Sequence, residues 1–375
     1  MTKFPKLSTT IFTIMSQLAK EHNAINLSQG FPNFPVDEQL KNSLAKWAME
    51  EVHQYLPMAG FPPLLEKIAL LTQNAYSRIV NPATDILITA GATEGIFAAI
   101  QALVKPNEEV IILDPSYDCY ETPVVLCNAI PKRINLNDDF TPNWEAIGNA
   151  MNANTRMLIT NNPHNPTGKI WTETDFLQLE KLLDLHPNVI VLSDEVYEYI
   201  TFENKHISVH HRPKLRNRSI AVSSFGKSFH ITGWKMGYLI APEHFMQEIK
   251  KVHQYLVFSV NSVAQYAIND YLDVVQVSEL GKFYQQKRDF FRSLLQETQF
   301  ELLPCEGSYF QLASYASISN ENDLKFTKRL VTEFGVATIP LSPFYADAKQ
   351  TKCIRFCFAK DETTLQKATA RLRKL

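Results

Sequence analysis

Residues 223–237 read SSFGKSFHITGWKMG, directly after the apolar run Ile220-Ala221-Val222. A short β-branched run of this kind reads as a buried strand, and the polar, glycine-punctuated segment after it as the turn that leaves the sheet. That turn carries Ser224, Lys227 and Lys235 on one short connection. Desolvation just beyond a buried strand lowers the pKa of a lysine and leaves a neutral amine able to attack a carbonyl. Taken alone, Lys227 reads as simply as a loop lysine paired with a carboxylate. Whether it has chemistry to do depends on its partners.

Outward from this stretch the same pattern recurs. Ile86-Leu87-Ile88, Val110-Ile111-Ile112-Leu113, Met157-Leu158-Ile159 and Val189-Ile190-Val191-Leu192 are separated by helical patterns and read as strands of a mostly parallel sheet buried on both faces, an α/β architecture. Each run is followed by a polar, turn-rich segment: TAGATE (89–94), DPSY (114–117), NNPHNPTG (161–168) and SDEVY (193–197). Ligands bind beyond the carboxyl ends of strands in open α/β sheets, so these segments and the lysine stretch would surround one site.

On the N-terminal side, residues 1 to about 30 read as an arm of loop ending in INLSQGFP, with Gly30 and Pro32 as breakers. Helical spacing follows from Glu38 (Leu40, Leu44, Trp47) and again after Pro62-Pro63 (Leu64, Leu65, Ile68, Leu71). Beyond residue 270 the character changes to a long helix from Leu280, strand-like pieces at 300–303, 309–313 and 336–340, a helix stopped at Gly335, and the strand around Cys353-Ile354-Arg355-Phe356-Cys357, where Arg355 faces away from Ile354 and Phe356. Asp361 is the expected N-cap of a last helix. The chain thus divides into residues 1–37, an arm that belongs in part with a smaller domain; a large domain, 38–270; and a smaller α+β domain, 271–375.

Lys and Arg number 37 against 39 Asp and Glu, a net charge of −2, and no basic, aromatic-interleaved patch stands out, which argues against nucleic acid as a partner. The five cysteines lack a CxxC pair and suit reduced thiols in a cytoplasmic protein. No spacing suggests metal, with Cys119, Cys353, Cys357, His206, His210 and His211 read as structural or surface groups. No run of about 18 apolar residues is present, so no membrane partner is expected.

Several residues have two readings each. Ala92 and Thr93 after Gly91 open a helix whose free N–H groups would suit a phosphate, or simply water. Asp194 at a strand end is a carboxylate in a dry place that needs a cation, which a protonated ring nitrogen or a structural arginine would satisfy. Asn165 is a turn residue or a donor, Tyr117 a core aromatic or a stacking platform, and Tyr55 a half-buried core tyrosine on the bland reading. The absence of GxGxxG and of GxxxxGK[ST] argues against nicotinamide or nucleoside triphosphate.

NNPHNPTG, SDEVYE, SSFGKSFHITGWKMG and IRFCFA, in this order, resemble the class I aminotransferases of fold type I, enzymes dependent on pyridoxal 5'-phosphate (PLP). LSQGFPNF, YLPMAGFPPL, DPSYDCYE and LPCEGSYF are similar to the methionine and kynurenine aminotransferase branch, with the bacterial methionine enzymes nearest. The resemblance runs nearly end to end. It implies that the large domain binds PLP, that Lys227 is the Schiff-base lysine and proton carrier, and that Asp194 pairs with the ring nitrogen. It gives Asn165 and Tyr197 to the phenolic oxygen, Tyr117 to stacking, and Ala92, Thr93, Ser224 and Lys235 to the phosphate, with Tyr55 arriving from the partner subunit of a homodimer with shared active sites. Lys235 stands where many class I enzymes carry arginine. Arg355 would clamp the substrate α-carboxylate beside Asn165 and Gly30, and Phe12, Phe31 and the neighbouring subunit's copy of Phe258 would form an apolar pocket, with the Phe344 segment near it. The implied activity is ping-pong transfer from methionine, phenylalanine, tyrosine or kynurenine to a 2-oxo acid. The alternatives are β-elimination from cysteine conjugates and, less in keeping with the lack of a DNA-binding module, a non-catalytic PLP-binding regulator.

Overall fold

The computed structural model describes residues 9–375, so the first part of the expected arm, residues 1–8, lies outside the described residues. Among the described residues thirteen strands follow one another as β1 (Ile25–Asn26), β2 (Ile86–Thr89), β3 (Glu109–Asp114), β4 (Ile130–Asn135), β5 (Thr155–Asn161), β6 (Ile190–Asp194), β7 (Ser219–Ser224), β8 (Gly237–Ile240), β9 (Glu301–Leu302), β10 (Phe310–Ser314), β11 (Val336–Ala337), β12 (Ile339–Pro340) and β13 (Cys353–Cys357). β2 to β8 form one sheet in the order β2-β8-β7-β6-β5-β3-β4. All pairs are parallel except those of β8, which runs against both β2 and β7.

The apolar runs fill this sheet because both of its faces are covered. Val110, Ile112, Ile159, Leu192, Ile220 and Val222 turn to one side, under the helices Ala92–Leu103 and Glu243–Leu256. Their neighbours Ile111, Leu158, Val191 and Ala221 turn to the other, against Glu173–Leu185. Alternate residues of one strand therefore serve two cores, which is what a run without polar alternation requires.

Two strands of this sheet were not expected from the runs. β4 lies at the edge, half exposed along most of its length, so its sequence Ile130-Pro131-Lys132-Arg133-Ile134-Asn135 carries no continuous apolar signal. β8 begins at Gly237, the last residue of the opening stretch, and runs back between β2 and β7.

The expected loop arm also needs correction: Ile11–Glu21 is an α-helix, capped by the Thr10 side chain and buried through Met15 and Ala19. Those residues join Leu312, Val331, Leu341 and Phe344 in one core cluster, and that tertiary burial stabilises a helix too short to hold on propensity alone. β9, β10, β12 and β13 form a second, antiparallel sheet in the order β12-β13-β10-β9, covered by the helices Leu280–Leu295, Asp323–Phe334 and Glu362–Leu372 around Phe291, Phe300, Phe326 and Phe356. The expected strand at 336–340 is split between sheets, since β11 pairs in parallel with β1 while β12 pairs with β13. The β1 pairing brings residues 25–31 to the seam between the two sheets, and Asp361 caps the last helix as expected, accepting from the Thr364 N–H at 2.8 Å.

Candidate active site

The carboxyl ends of β2, β3, β5, β6 and β7 open into one cavity of about 1320 Å³. All five segments singled out in the sequence line it, through Gly91 to Thr93, Ser116 to Asp118, Asn161 and Asn165, Asp194 and Tyr197, and Ser224 to Lys235.

At one end the helix Ala92–Leu103 starts at Gly91, whose φ of 77° puts it in the left-handed region, and no side chain caps it. Its first-turn amides are thus available to an anion. A Cβ on Gly91 would stand 3.2 Å from Lys235 Nζ, and one on Gly237 would stand 2.9 Å from the Ala92 amide nitrogen. The two glycines keep the helix start, Ser224 and Lys235 converging on one small space. Lys235 itself has a left-handed φ of 56°, which turns its side chain off the line of the chain.

Asp194 ends β6 with its carboxylate buried. Burial pushes its pKa up to about 6, against the opposing effects of the Tyr120 hydroxyl, the Val196 amide and the Lys227 charge. The Tyr120 hydroxyl donates to Oδ2 at 2.6 Å and the Val196 N–H to Oδ1 at 3.3 Å. Lys227, on the single turn Phe225–Ser228, reaches the cavity with its Nζ 5.7 Å from the Tyr197 ring centre and 6.0 Å from that of Tyr309. Burial pulls its pKa down to about 8; Asp194 acts against that shift and Arg355 with it. Tyr197 is buried, and burial keeps its hydroxyl protonated.

Asn165 is tied into the same frame. Its N–H donates to Asn161 Oδ1 at 2.7 Å, and Asn161 Nδ2 donates to the Asp194 carbonyl at 2.9 Å. Arg355 Nη1 donates to Asn165 Oδ1 at 2.6 Å, and because a guanidinium only donates, this orients the amide and leaves Nδ2 as a donor for the cavity. Arg355 Nη2 donates to the Ser28 carbonyl at 3.0 Å, while its Nε is buried without a partner. The guanidinium lies 3.8 Å from the ring centre of Phe310, 5.2 Å from that of Phe12 and 5.6 Å from that of Phe344. An arginine only 1% exposed, with no carboxylate among these partners, is a seat for an incoming anion.

Gly30, Phe12 and Phe31 line the cavity, together with Ile14, Val125 and Leu324. Phe344 forms a wall behind Phe12, their rings 5.7 Å apart. Arg133 also borders the cavity, yet its guanidinium is taken by Asp114 at 2.7 Å, by Glu121 and by Ser116 at 2.8 Å. Cys119 lines the cavity too. His206 and His210 are buried, His206 against Glu195 at 2.9 Å, and the described residues contain no group of three or more His, Cys, Asp or Glu suited to a metal ion.

Tyr55 and Phe258 do not line this cavity. They form an edge-to-face pair on the surface, ring centres 5.2 Å apart, 80% and 44% exposed. Tyr120, Ser28 and Phe310 belong to the site and were not singled out from the sequence. For Tyr120 a signal existed, since DPSYDCYE holds a second tyrosine three residues after Tyr117 and a buried Asp194 requires donors; Ser28 acts through its carbonyl, which no sequence pattern exposes.

The aminotransferase class I and II family model matches residues 22–372. The chain is 47% identical over 377 residues to the methionine aminotransferase of Escherichia coli K12, covering 100% of this chain and 97% of that protein. It is 33% identical over 411 residues to the kynurenine–oxoglutarate transaminase of Dictyostelium discoideum, covering 98% and 94%. A crystal structure of an Escherichia coli protein identified as having a methionine aminotransferase function matches with a TM-score of 0.97 at 47% identity, over 100% of this chain and 99% of that one. Aminotransferases of this fold use PLP to exchange amino groups between amino acids and 2-oxo acids. With that likeness covering the whole chain, it is a PLP-dependent transaminase of fold type I and belongs to the aminotransferase class I and II family.

Proposed function

We propose that this transaminase takes its amino group from methionine and from aromatic amino acids such as phenylalanine, tyrosine or kynurenine. The observation that carries the reading is the Arg355 guanidinium, buried among Phe310, Phe12 and Phe344 with Nε unpartnered, at the edge of a cavity whose other arginine, Arg133, is already paired. A carboxylate on Arg355 leaves the attached side chain among Phe12, Phe31 and Ile14, with no free guanidinium for a second carboxylate.

The donor set fits PLP. The space kept open by Gly91 and Gly237 suits a phosphate held by the Ala92 and Thr93 amides, Ser224 and Lys235. Asp194, held by Tyr120, would pair with the ring nitrogen, Asn165 Nδ2 and the Tyr197 hydroxyl would hold the phenolic oxygen, Tyr117 would stack on the ring, and Lys227 would hold the aldehyde carbon through its amine. When bound, PLP supplies a carbonyl for the amino group and a ring that withdraws the electron pair left at the substrate Cα. The chain would do the rest: Arg355 would orient the amino acid, Asn165 would link that clamp to the cofactor contacts, and the Lys227 amine would move the proton between the substrate Cα and the cofactor C4′ as general base and acid.

We further infer a cytoplasmic homodimer, in which the exposed Tyr55–Phe258 pair of each subunit completes the other's site; the surface position of two aromatic rings outside their own cavity supports this. Mixing the holoenzyme with a panel of L-amino acids and following loss of its visible absorption tests the donor reading. Conversion is expected with methionine and the aromatic amino acids and little with aspartate; preferential conversion by aspartate, or by none of them, would overturn it.

A further inference from the structure

The wall of the cavity beyond Arg355 comes from the helix Ile11–Glu21, through Ile11, Phe12 and Ile14. One side chain ties this helix to the loop below it. Gln29 Nε2 donates to the Phe12 carbonyl at 3.1 Å and to the Ser16 hydroxyl. Both of its amide hydrogens are thus spent on the helix, one of them on the backbone of Phe12 itself.

The loop that carries Gln29 is held on every side. Asn26 Oδ1 accepts from the Ser28 N–H at 2.9 Å and the Gln29 N–H at 3.3 Å. The Ser28 carbonyl takes Arg355 Nη2, the Gly30 carbonyl takes the Tyr309 hydroxyl at 2.7 Å, and the Phe31 carbonyl takes Lys360 Nζ at 2.6 Å. Consecutive residues therefore grip the guanidinium with a carbonyl and the Phe12 helix with a side chain. The Phe12 ring lies 5.2 Å from the Arg355 guanidinium and 6.0 Å from the Tyr117 ring, and all three line the cavity that the side chain of a carboxylate-anchored amino acid would enter.

We propose that Gln29 is a positioning residue for substrate selection: it sets the distance between the carboxylate seat at Arg355 and the apolar wall at Phe12, and so favours amino acids with long apolar or aromatic side chains over short ones. The inference rests on the reading of Arg355 as the carboxylate seat and Phe12 as part of the side-chain pocket. Freed of Gln29, the helix keeps its buried Met15 and Ala19 contacts, so the fold persists while the wall loses its fixed height above the guanidinium.

The test uses holoenzyme carrying Gln29→Leu, which keeps the bulk and removes the donors, and Gln29→Glu, which keeps the length and turns an acceptor toward the Phe12 carbonyl. kcat and KM are measured with phenylalanine, methionine and alanine, and calorimetry gives the Kd of 3-phenylpropionate and of propionate, carboxylates that have no amine to transfer. In both variants KM for phenylalanine and methionine is expected to rise about ten-fold, the loss of roughly one buried hydrogen bond, with kcat changed less than about two-fold. The Kd of 3-phenylpropionate rises by the same factor, while the values for alanine and propionate stay within about two-fold. Equal losses for phenylalanine and alanine would overturn the inference, because Gln29 would then serve only Arg355 or the fold. A preference for 3-phenylpropionate that survives in both variants would overturn the inference alone, whereas its absence from the unsubstituted enzyme would overturn the pocket reading and this inference with it.

Discussion

Lys227 and Asp194 are tuned in opposite directions by the same burial. The lysine is drawn down to about 8, the aspartate up to about 6, because each charged form loses solvation in the cavity wall. For Lys227 the folded pKa lies below its ordinary value of 10.5, so the neutral amine is present from about pH 8 upward. For Asp194 the folded value lies above the ordinary carboxylate range, so its charge is lost as the pH falls through about 6. The rate at which apoprotein takes up PLP, followed by absorbance, is therefore expected to climb through pH 8, and affinity for PLP to fall below pH 6. Replacement of the lysine separates binding from chemistry: Lys227→Ala is expected to retain PLP through its other contacts while amine transfer drops more than about a thousand-fold. Undiminished turnover in that variant would assign the chemistry to another lysine. Tyr120→Phe removes the 2.6 Å bond to Asp194, and loss of a hydrogen bond to a charged group, about 2 kcal/mol, is expected to raise the Asp194 pKa further and weaken PLP binding at pH 7, measured by equilibrium titration of the apoprotein.

At the scale of elements, the site depends on where strands stop. β7 and β8 flank the Lys227 turn, and β8 starts at Gly237 because only a residue without Cβ fits there: an added methyl would meet the Ser223 carbonyl at 2.8 Å and the Ala92 amide nitrogen at 2.9 Å. Gly237→Ala is expected to cost roughly 2 kcal/mol by overpacking, read as a lower urea midpoint, and to weaken PLP binding in parallel because it pushes the phosphate-side helix start. Unchanged stability with intact affinity would mean that the junction relaxes freely. The β-branched runs were legible because burial on both faces removes polar alternation. The edge strand β4 and the helix Ile11–Glu21 were not, since the first is half solvated and the second is held by the tertiary contacts of Met15 and Ala19.

At the scale of the whole molecule, the proposed homodimer would let the surface pair Tyr55 and Phe258 serve the neighbouring subunit's site. Subunits carrying Tyr55→Ala and subunits carrying Lys227→Ala would each form weak or dead enzymes alone, yet a hybrid dimer holds one site with both native residues. Mixing and refolding the two in equal amounts is expected to restore about a quarter of the unsubstituted activity, from statistical pairing of a two-fold dimer; no recovery, with dimers verified by size-exclusion chromatography, would remove Tyr55 from the shared site. The sequence by itself determined the order of chemistry along the chain: polar turns after buried strands, Lys227 after β7 and Asp194 at the end of β6. These are local facts, set by backbone preferences and by periodicity. Only the tertiary structure decided that Tyr120 holds Asp194, that Arg355 bonds Asn165 and the Ser28 carbonyl, and that Gln29 donates to the Phe12 carbonyl. Those contacts join residues distant in sequence through backbone carbonyls and directional hydrogen bonds, whose partners are selected by packing between the two sheets and leave no periodic trace in the chain.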